Sequence, residues 1–265
     1  MRITGSIVTF NSDLNEVLHV CKCFLNSDNV EGLYVIDNSP EDSLRAHLNF
    51  DKRIIYWHFP QNLGYGKAHN IGIRHGAQIA DYHVVLNTDI SFQPECIERL
   101  SAFMEDRKDV ALVMPKIIFP DGSVQYLVRN NPTPSILLTR RFWSVSRKAN
   151  EEIRIYQNMD LDYDRPMYNI PFLSGCFMFI RTRVLKLSGL FDEKIFMYTE
   201  DADLSRRILK VAQTAYWPEA VAIHNYKGGV RRSFRLTWYG LKSAIYYFNK
   251  WGWSNQLERT VQQKN

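Results

Sequence analysis

Short apolar runs alternate with helical patterns over the first 115 residues of the chain. Apolar side chains in the helical segments recur every three or four residues, whereas the strand-like runs are short and rich in β-formers. Strands that alternate with helices favour a mostly parallel sheet that is covered by helices, so the pattern predicts an α/β fold. The predicted strands are 3–10, 33–36, 53–58, 84–86 and 110–114, and the predicted helices are 13–26, 41–48, 66–79 and 94–106.

The second half of the chain is less regular. A Pro-Asp-Gly turn at 120–122 predicts a hairpin between 116–119 and 124–126. No low-complexity linker interrupts the sequence, which favours one continuous domain. Further predictions are helices at 134–148, 201–211 and 236–251, strands at 177–180, 215–217 and 221–224, and a long polar loop at 150–171.

Polar side chains follow four of the predicted strands in the first half. They occur at Asn11, at Asp37-Asn38, at Asn62 and at Asn87-Thr88-Asp89. Each group alone is equally typical of a turn or a helix cap. Ligands of open parallel sheets bind outside the carboxyl ends of the strands, so four such groups together predict a shared pocket.

The segment NLGYGKAHNIGI, residues 62–73, combines a glycine-rich turn with the start of a helix. Gly64 and Gly66 permit a tight turn, and Lys67 stands where helix amides favour an anion. The segment is neither a Walker A loop nor G-x-G-x-x-G, because Ala68 and His69 occupy required positions. A phosphate site and an ordinary turn with a solvated lysine therefore both remain open.

Two acidic positions have the character of reactive groups. Asp89 ends a strand beside the phosphate-compatible turn, which suits Mg²⁺ or Mn²⁺, and His224 is a candidate second ligand. Glu200, Asp201 and Asp203 lie in the first turn of a predicted helix. The helix dipole and a pairing of Asp203 with Arg206 or Arg207 account for one or two of these acids. The third would be free to act as a general base.

Charge and composition narrow the setting. The chain has 265 residues and a net charge of +5, and residues 227–265 contain eight basic side chains against one acidic. A basic tail predicts an anionic surface as partner. We interpret the four cysteines as reduced, and the sequence shows neither a signal peptide nor an apolar span, so we expect a cytoplasmic protein.

Seven segments, taken in order, resemble the inverting family 2 glycosyltransferases with the GT-A fold, particularly their rhamnosyltransferase-like branch. The GT-A fold has a Rossmann-like central sheet with flanking helices. The resemblance implies a catalytic domain at 1–230, with a nucleotide-binding half at about 1–115 and an acceptor half at about 116–230, followed by a helical extension at 231–265. The segments are IVTFN (7–11), VIDNSP (35–40), NLGYGKAHNIGI (62–73), VVLNTDISFQP (84–94), FLSGCFMFIRTRV (172–184), GLFDEKIFMYTEDADLSRRI (189–208) and AIHNYKGG (222–229).

The resemblance also implies a role for each matching residue. Asp201 would be the catalytic base, with Glu200 as the less favoured candidate, and Asp89 with His224 would hold Mg²⁺ or Mn²⁺. Asn87 departs from a full D-x-D motif, which leaves the strength of metal dependence open. Ser174 and Gly175 would meet the sugar or acceptor. The donor nucleotide would contact Thr9, Phe10, Asn11, Asp37, Asn38, Asn62, Gly64, Lys67, Asn70, Asn87, Thr88 and Asp89.

The resemblance implies a donor such as dTDP-rhamnose, with UDP-hexoses as the alternative. Phe234, Trp238, Leu241, Ile245 and Phe248 recur at helical spacing among basic residues. This pattern favours peripheral contact with the inner face of the cell membrane and a polyprenyl-diphosphate-linked saccharide acceptor, while packing of the helix on the domain is the competing interpretation. A nucleotidyltransferase and an inactive nucleotide-sugar-binding subunit are the alternative functions, and no motif indicates nucleic-acid binding.

Overall fold

One mixed sheet runs through the protein, whose computed structural model describes residues 1–142, 146–226, 234–253 and 261–263. Its strands lie in the order β12-β8-β11-β6-β10-β4-β1-β2-β3, and β5 pairs with the end of β11. A separate two-stranded sheet joins β7 to β9. The strands are β1 (Ile3–Thr9), β2 (Val30–Asp37), β3 (Ile54–His58), β4 (Tyr82–Leu86), β5 (Ile90–Ser91), β6 (Val110–Ile118), β7 (Val128–Arg129), β8 (Met167–Tyr168), β9 (Phe172–Leu173), β10 (Phe177–Arg181), β11 (Gln213–His224) and β12 (Gln262–Gln263).

Helices cover both faces of the sheet, because successive residues of β1 point to opposite faces and pack against a helix on each. Gly5 faces one way and leaves room for the ring of Phe24, whereas Thr4 and Ser6 face the other way against Gly76 and Gly72. The helices are α1 (Leu14–Leu25), α2 (Tyr65–Ile79), α3 (Pro94–Asp106), α4 (Pro134–Phe142), α5 (Arg147–Tyr156), α6 (Leu185–Ser188), α7 (Glu200–Leu209) and α8 (Phe234–Trp251).

The chain direction of the strands places the predicted polar groups on one edge. Strands β1 to β4 are mutually parallel, and β10 runs antiparallel between β4 and β6. Because β11 is parallel to β6, its carboxyl end at His224 emerges on the same side as those of β1, β2 and β4. The sequence-predicted α/β architecture with flanking helices is confirmed, and the longest ladders are parallel.

Three local predictions were wrong. Residues 150–171 are not one long loop, because α5 begins in a Ser146 cap whose hydroxyl accepts from Ala149 N at 3.1 Å. The predicted helix at 41–48 is only a 3₁₀ turn, Arg45–His47, with no side-chain cap. The helix predicted at 134–148 is not continuous, because α4 ends at Phe142 and Ser146, with an extended backbone, caps the start of α5. The predicted hairpin after β6 is present as an antiparallel bridge between Ile118 and Val124, with backbone hydrogen bonds from Phe119 N to Ser123 O and from Gln125 N to Ile117 O.

A chain of polar side chains crosses the buried face of the sheet beneath α2. His83 lies between Thr4 and Ser6, with Nδ1 3.0 Å from Thr4 Oγ1 and Nε2 2.8 Å from Ser6 Oγ, and Ser6 Oγ lies 2.8 Å from His69 Nδ1. Burial lowers the pKa of His83 from 6.5 to about 3 and lowers the pKa of His69 well below its usual range. Both imidazoles are therefore neutral in the native state.

This network predicts acid sensitivity of the fold. Below pH 6.5 the unfolded chain binds protons on these imidazoles and the native state does not, so stability falls as pH drops toward about 3. Each histidine should contribute about 1.4 kcal/mol per pH unit in this window. Urea unfolding between pH 6 and 4 should show a shallower pH slope for His83→Gln than for the wild type. Equal slopes would contradict the assignment of neutral, buried histidines. Buried carboxyls change the pH slope in the opposite direction, but they do so in both proteins, so the comparison removes their contribution.

Candidate active site

The carboxyl ends of β1 and β2 form one hydrogen-bonded wall. Thr9 Oγ1 donates to Asp37 Oδ1 at 2.8 Å, and Ser39 N donates to the same oxygen at 2.9 Å. Tyr56 OH donates to Asp37 Oδ2 at 2.8 Å, so the fully buried Asp37 carboxylate shapes this wall. Asn38 Oδ1 is buried and has no hydrogen-bond partner among the described residues, which leaves it available to a ligand.

The rim of this wall carries two further predicted residues. Phe10 is 49% exposed, which is unusual for a large aromatic ring and suits stacking on a nucleobase. Asn11 has a left-handed backbone with φ of 50°, and its N–H donates to Ser39 Oγ at 2.9 Å. Strand ends β1 and β2 therefore meet as the sequence predicts, with an aromatic face open to solvent.

The glycine-rich turn joins this wall to the segment that precedes α7. Gly64 has φ of 83°, and a Cβ there would lie 2.5 Å from the carbonyl oxygen of Phe196, so no other residue fits. Asn62 Oδ1 accepts from Gly64 N at 2.9 Å, and Tyr65 N donates to Phe196 O at 3.0 Å. Lys67 is exposed in the first turn of α2, and no side chain among the described residues caps this helix start.

Asn70 has a different place from the other predicted donor residues. Its side chain is fully buried, its amide donates to Phe191 O at 2.9 Å and to Glu193 Oε1 at 3.1 Å, and its oxygen accepts from Phe191 N at 3.0 Å. With every group engaged, Asn70 fastens α2 to the segment before α7. We therefore propose that Asn70 has a structural role and does not contact the donor nucleotide.

Tyr65, which sequence reasoning missed, lies at the centre of the site. Its hydroxyl lies 2.7 Å from Gly175 O and 3.1 Å from Asn87 Oδ1. Burial raises the pKa of Tyr65, and the nearby charges of Glu200, Asp201 and Asp89 raise it further. Tyr65 therefore connects the glycine-rich turn, the end of β4 and the loop between β9 and β10.

Asp201 is the better placed of the two candidate bases. Gly175 N donates to its Oδ2 at 2.9 Å, and the carboxyl is partly open to solvent. Burial raises the pKa of Asp201, while the Gly175 amide and the charge of Arg129 oppose that rise. A carboxylate of raised basicity that a substrate can reach is suited to accept a proton.

Glu200 is deeper and keeps its proton. Only 5% of Glu200 is exposed, and its buried Oε2 has no hydrogen-bond partner in the part of the chain that the structure describes. Burial raises the pKa of Glu200 well above its usual range, and neighbouring Asp201 raises it further. Two adjacent carboxyls of this kind do not both ionise easily, so the proton belongs on Glu200 and the negative charge on Asp201.

Asp203, the third acid of α7, is structural. It is fully buried and pairs with Arg207 at 2.8 Å, as one sequence alternative predicts. It also pairs with Lys250 Nζ at 2.8 Å and accepts from Trp251 Nε1 at 2.8 Å, both in α8. Asp203 therefore anchors the C-terminal helix rather than a substrate.

Asp89 and His224 lie together at the ends of β4 and β11. His224 Nε2 lies 3.2 Å from Asp89 Oδ1 without the geometry of a hydrogen bond, and this buried nitrogen has no other hydrogen-bond partner in the described part of the chain. Asp89 is also fixed through its backbone, because Asn225 N donates to its carbonyl oxygen at 2.9 Å. The side chains of Asp89 and His224 can therefore both bind the same additional group.

Gln125, a second residue that the sequence did not reveal, sets the tautomer of His224. Gln125 Nε2 donates to the carbonyl oxygen of His224 at 2.8 Å, which leaves Gln125 Oε1 as the atom 2.8 Å from His224 Nδ1. An amide oxygen only accepts, so Nδ1 carries a proton, and in the neutral imidazole Nε2 presents its lone pair toward Asp89.

This pair fits a divalent cation that completes its ligand shell elsewhere. One carboxylate and one neutral imidazole are metal ligands, and Mg²⁺ or Mn²⁺ commonly takes substrate phosphate oxygens and water for the rest. The described residues contain no group of three or more His, Cys, Asp or Glu side chains that could hold a metal alone. The donor set therefore fits a cation that binds together with a phosphorylated ligand.

Comparison with known proteins identifies the family. The model of the family described as "Glycosyl transferase family 2" matches residues 6–188. A curated relative from Mycobacterium tuberculosis strain H37Rv, N-acetylglucosaminyl-diphospho-decaprenol L-rhamnosyltransferase, is 30% identical over 181 residues, which are 62% of this chain and 56% of the relative. The chain thus spans just over half the length of the curated relatives that it matches.

Solved structures share the fold at low sequence identity. GalNAc-T7 with UDP, GalNAc and Mn²⁺ superposes with a TM-score of 0.62 at 14% identity over 85% of this chain and 44% of that one. The mannosyltransferase PcManGT from Pyrobaculum calidifontis, in complex with GDP-Man and Mn²⁺, gives 0.60 at 14% identity over 96% and 65%. These neighbours are GT-A glycosyltransferases, so the predicted fold is confirmed.

Proposed function

The chain belongs to glycosyl transferase family 2, and on that premise we propose that it transfers a sugar from a nucleoside diphosphate donor to a hydroxyl of a saccharide acceptor, with inversion. The observation that carries the proposal is the arrangement around Tyr65. Through Asn87, Tyr65 contacts the strand end that carries Asp89 beside His224, and through Gly175 it contacts the loop whose amide binds Asp201. A site for a diphosphate and a base for an acceptor thus adjoin.

The chain's own residues supply the steps of a single displacement. Asp201 accepts the proton of the acceptor hydroxyl as that oxygen attacks the anomeric carbon of the donor. The amides at the start of α2, with Lys67, face the departing diphosphate and stabilise its growing charge. A divalent cation at Asp89 and His224 would supply further positive charge at that diphosphate. One base on the face opposite the leaving group gives inversion.

The donor site uses the wall at β1 and β2. We propose that Phe10 and the Thr9–Asp37–Asn38 group hold the base and ribose, and that Asn62, Gly64, Thr88 and Ser174 line the diphosphate and sugar region. The rhamnosyltransferase relative supports dTDP-rhamnose as donor and a polyprenyl-diphosphate-linked saccharide as acceptor in cell-surface polysaccharide synthesis, with a UDP-hexose as the alternative donor. The pairing of a reachable base with a cation site favours an active enzyme over an inactive binding subunit.

A thermal-shift panel tests the donor site. With dTDP, UDP, GDP and CDP, each with Mn²⁺, Mg²⁺ or EDTA, one nucleoside diphosphate with metal should raise the midpoint selectively. A ligand at 100 times its Kd adds about 2.7 kcal/mol of stability, which is several degrees for a domain of this size. No shift with any combination would contradict the proposed donor site.

Helix α8 offers a surface for a lipid-linked acceptor. Its inner face is fixed, because Tyr247 and Phe248 are buried and Lys250 pairs with Asp192 at 2.7 Å. The predicted apolar stripe therefore has a buried part and an exposed part. In the exposed part, Trp238, Leu241 and Ile245 are 49%, 48% and 42% exposed. Lys227, Arg231, Arg232, Arg259, Lys264 and the side chains of Phe234 and Arg235, which belong to the predicted basic aromatic tail, lie outside the described residues.

This exposed face adjoins the proposed site. The ring of Tyr239 lies 4.2 Å from that of Phe196, whose carbonyl binds the glycine-rich turn, and Lys242 Nζ lies 5.1 Å from the Trp238 ring. Aromatic, aliphatic and cationic side chains on one helix face suit an anionic membrane surface. In the described part of the chain no helix is long and apolar enough to cross a bilayer. We therefore propose peripheral contact.

Vesicle sedimentation tests this contact. Replacing Trp238, Leu241 and Ile245 together by Ser should lower binding to phosphatidylglycerol vesicles about tenfold or more, because their apolar side chains leave the interface. Leu187→Ser is the matched control, since Leu187 is 74% exposed on a different surface. A wild-type protein that stays in the supernatant at low salt, or a triple variant that still pellets, would refute the contact.

A further inference from the structure

Arg129 is a cation without a matching anion in the described structure. It ends β7, pairs with Phe172 of β9, and places its guanidinium 5.2 Å from the centre of the Phe172 ring. Its Nε is shielded from solvent and has no hydrogen-bond partner, and no carboxylate among the described residues forms a salt bridge with it. Burying a charged guanidinium without a hydrogen-bonded anion costs free energy, unless a ligand supplies that partner.

Two other arginines of the acceptor half pair with carboxylates of the protein. Arg154 binds Asp160 at 2.5 Å, and Arg207 binds Asp203 at 2.8 Å. Stacking on Phe172 holds the Arg129 guanidinium plane in place but leaves its N–H groups available. Arg129 therefore has the character of a binding group rather than a structural ion-pair partner.

The position of Arg129 relates it to the acceptor. Strand β9 leads directly to Ser174 and Gly175, and Gly175 N binds Asp201. The charge of Arg129 lowers the pKa of Asp201 against the effect of burial, which places it within electrostatic reach of that carboxyl. The donor diphosphate is assigned to Asp89, His224 and α2, so Arg129 is available to an anion of the acceptor.

We propose that Arg129 binds the diphosphate of a polyprenyl-diphosphate-linked acceptor. The inference rests on the proposed function and adds a residue that recognises the acceptor by its anion. The acceptor sugar would place a hydroxyl at Asp201 and its anomeric phosphate at Arg129, on the same side of the site. A planar guanidinium offers two parallel N–H donors to phosphate, so this contact selects a diphosphate-linked sugar over a neutral glycoside.

Kinetics with two acceptors test the contact. The full chain would be assayed with saturating donor and either a short prenyl-diphosphate-linked N-acetylglucosamine or the neutral octyl glycoside of the same sugar. Arg129→Gln should raise KM for the diphosphate acceptor about 10- to 100-fold, the size of one or two charge-assisted hydrogen bonds. KM for the octyl glycoside and for the donor should stay unchanged. Arg129→Lys should recover part of the loss, and Arg154→Gln is the matched control.

The outcomes separate the inference from the proposed function. An equal loss with both acceptors, with the acidic limb of the pH–rate profile moved to higher pH, would show that Arg129 acts only through Asp201 and would overturn the inference. A raised donor KM would instead place Arg129 at the donor diphosphate and would also overturn it. Wild-type protein that glycosylates neither acceptor would contradict the proposed acceptor class itself. If Arg129→Gln fails to fold, Arg129→Lys, which keeps the charge but loses the planar pair of N–H donors, would be assayed in its place.

Discussion

Replacing Asp201 by Asn is expected to lower the rate of sugar transfer by about 10²- to 10⁴-fold, the usual contribution of a general base. The Asn side chain keeps an oxygen that can accept from Gly175 N, so the loop between β9 and β10 should hold its conformation. Donor binding should be unchanged, because Asp201 lies on the acceptor side of Tyr65. Single-turnover transfer and calorimetric donor binding, measured on the same variant, separate the two effects.

Glu200→Gln is the matched control for that experiment. Glu200 is buried and protonated, so a neutral amide of similar shape should change the transfer rate far less than Asp201→Asn. If Glu200→Gln abolished transfer and Asp201→Asn spared it, the roles of the two acids would be reversed.

Replacing Asp89 by Asn is expected to remove metal-dependent donor binding. A cation that neutralises a leaving diphosphate contributes several kcal/mol, so transfer should fall by about 10²- to 10³-fold. Calorimetric titration of the nucleoside diphosphate with Mn²⁺ and then with EDTA should show that the metal-dependent part of the affinity is lost. His224 keeps its tautomer through Gln125, so the variant tests the carboxylate alone.

The control for Asp89 is a surface carboxylate that has no place in the site. Asp164 pairs with Lys116 at the surface and its side chain is 80% exposed, so Asp164→Asn should bind donor and metal as the wild type does. An Asp89→Asn variant with unchanged metal dependence would exclude this carboxylate as a ligand. The donor site at β1 and β2 would stand, but the cation would have to bind elsewhere.

Periodic patterns reveal the fold where local and tertiary preferences agree. Apart from the helix predicted at 41–48, the alternating strands and helices of the first half are predicted to within a few residues, because each apolar run is also a buried strand or helix face. The apolar pattern does not reveal helix α5, because half of the residues in its sequence, RKANEEIRIY, are charged. Its inward positions are Ala149, Ile153 and Tyr156, at helical spacing, so the apolar face of this helix consists of only three residues.

The candidate site divides in the same way. Groups at the ends of strands were predictable, since parallel strands bring their carboxyl ends to one edge. Tyr65, Gln125 and Arg129 were not, because their roles depend on contacts with residues far away in the chain. Gln125 acts on His224, which is 99 positions away, and Tyr65 meets Gly175 across 110 positions. No local pattern distinguishes these side chains from ordinary polar surface residues.

The most direct test of the central claim is a transfer reaction in which the product is identified. Purified full chain would be incubated with Mn²⁺, dTDP-rhamnose or a UDP-hexose, and a prenyl-diphosphate-linked N-acetylglucosamine. The account predicts a disaccharide whose new linkage has the anomeric configuration opposite to that of the donor, together with release of the nucleoside diphosphate. A product that retains the donor configuration, or no sugar transfer from any of these donors, would contradict it.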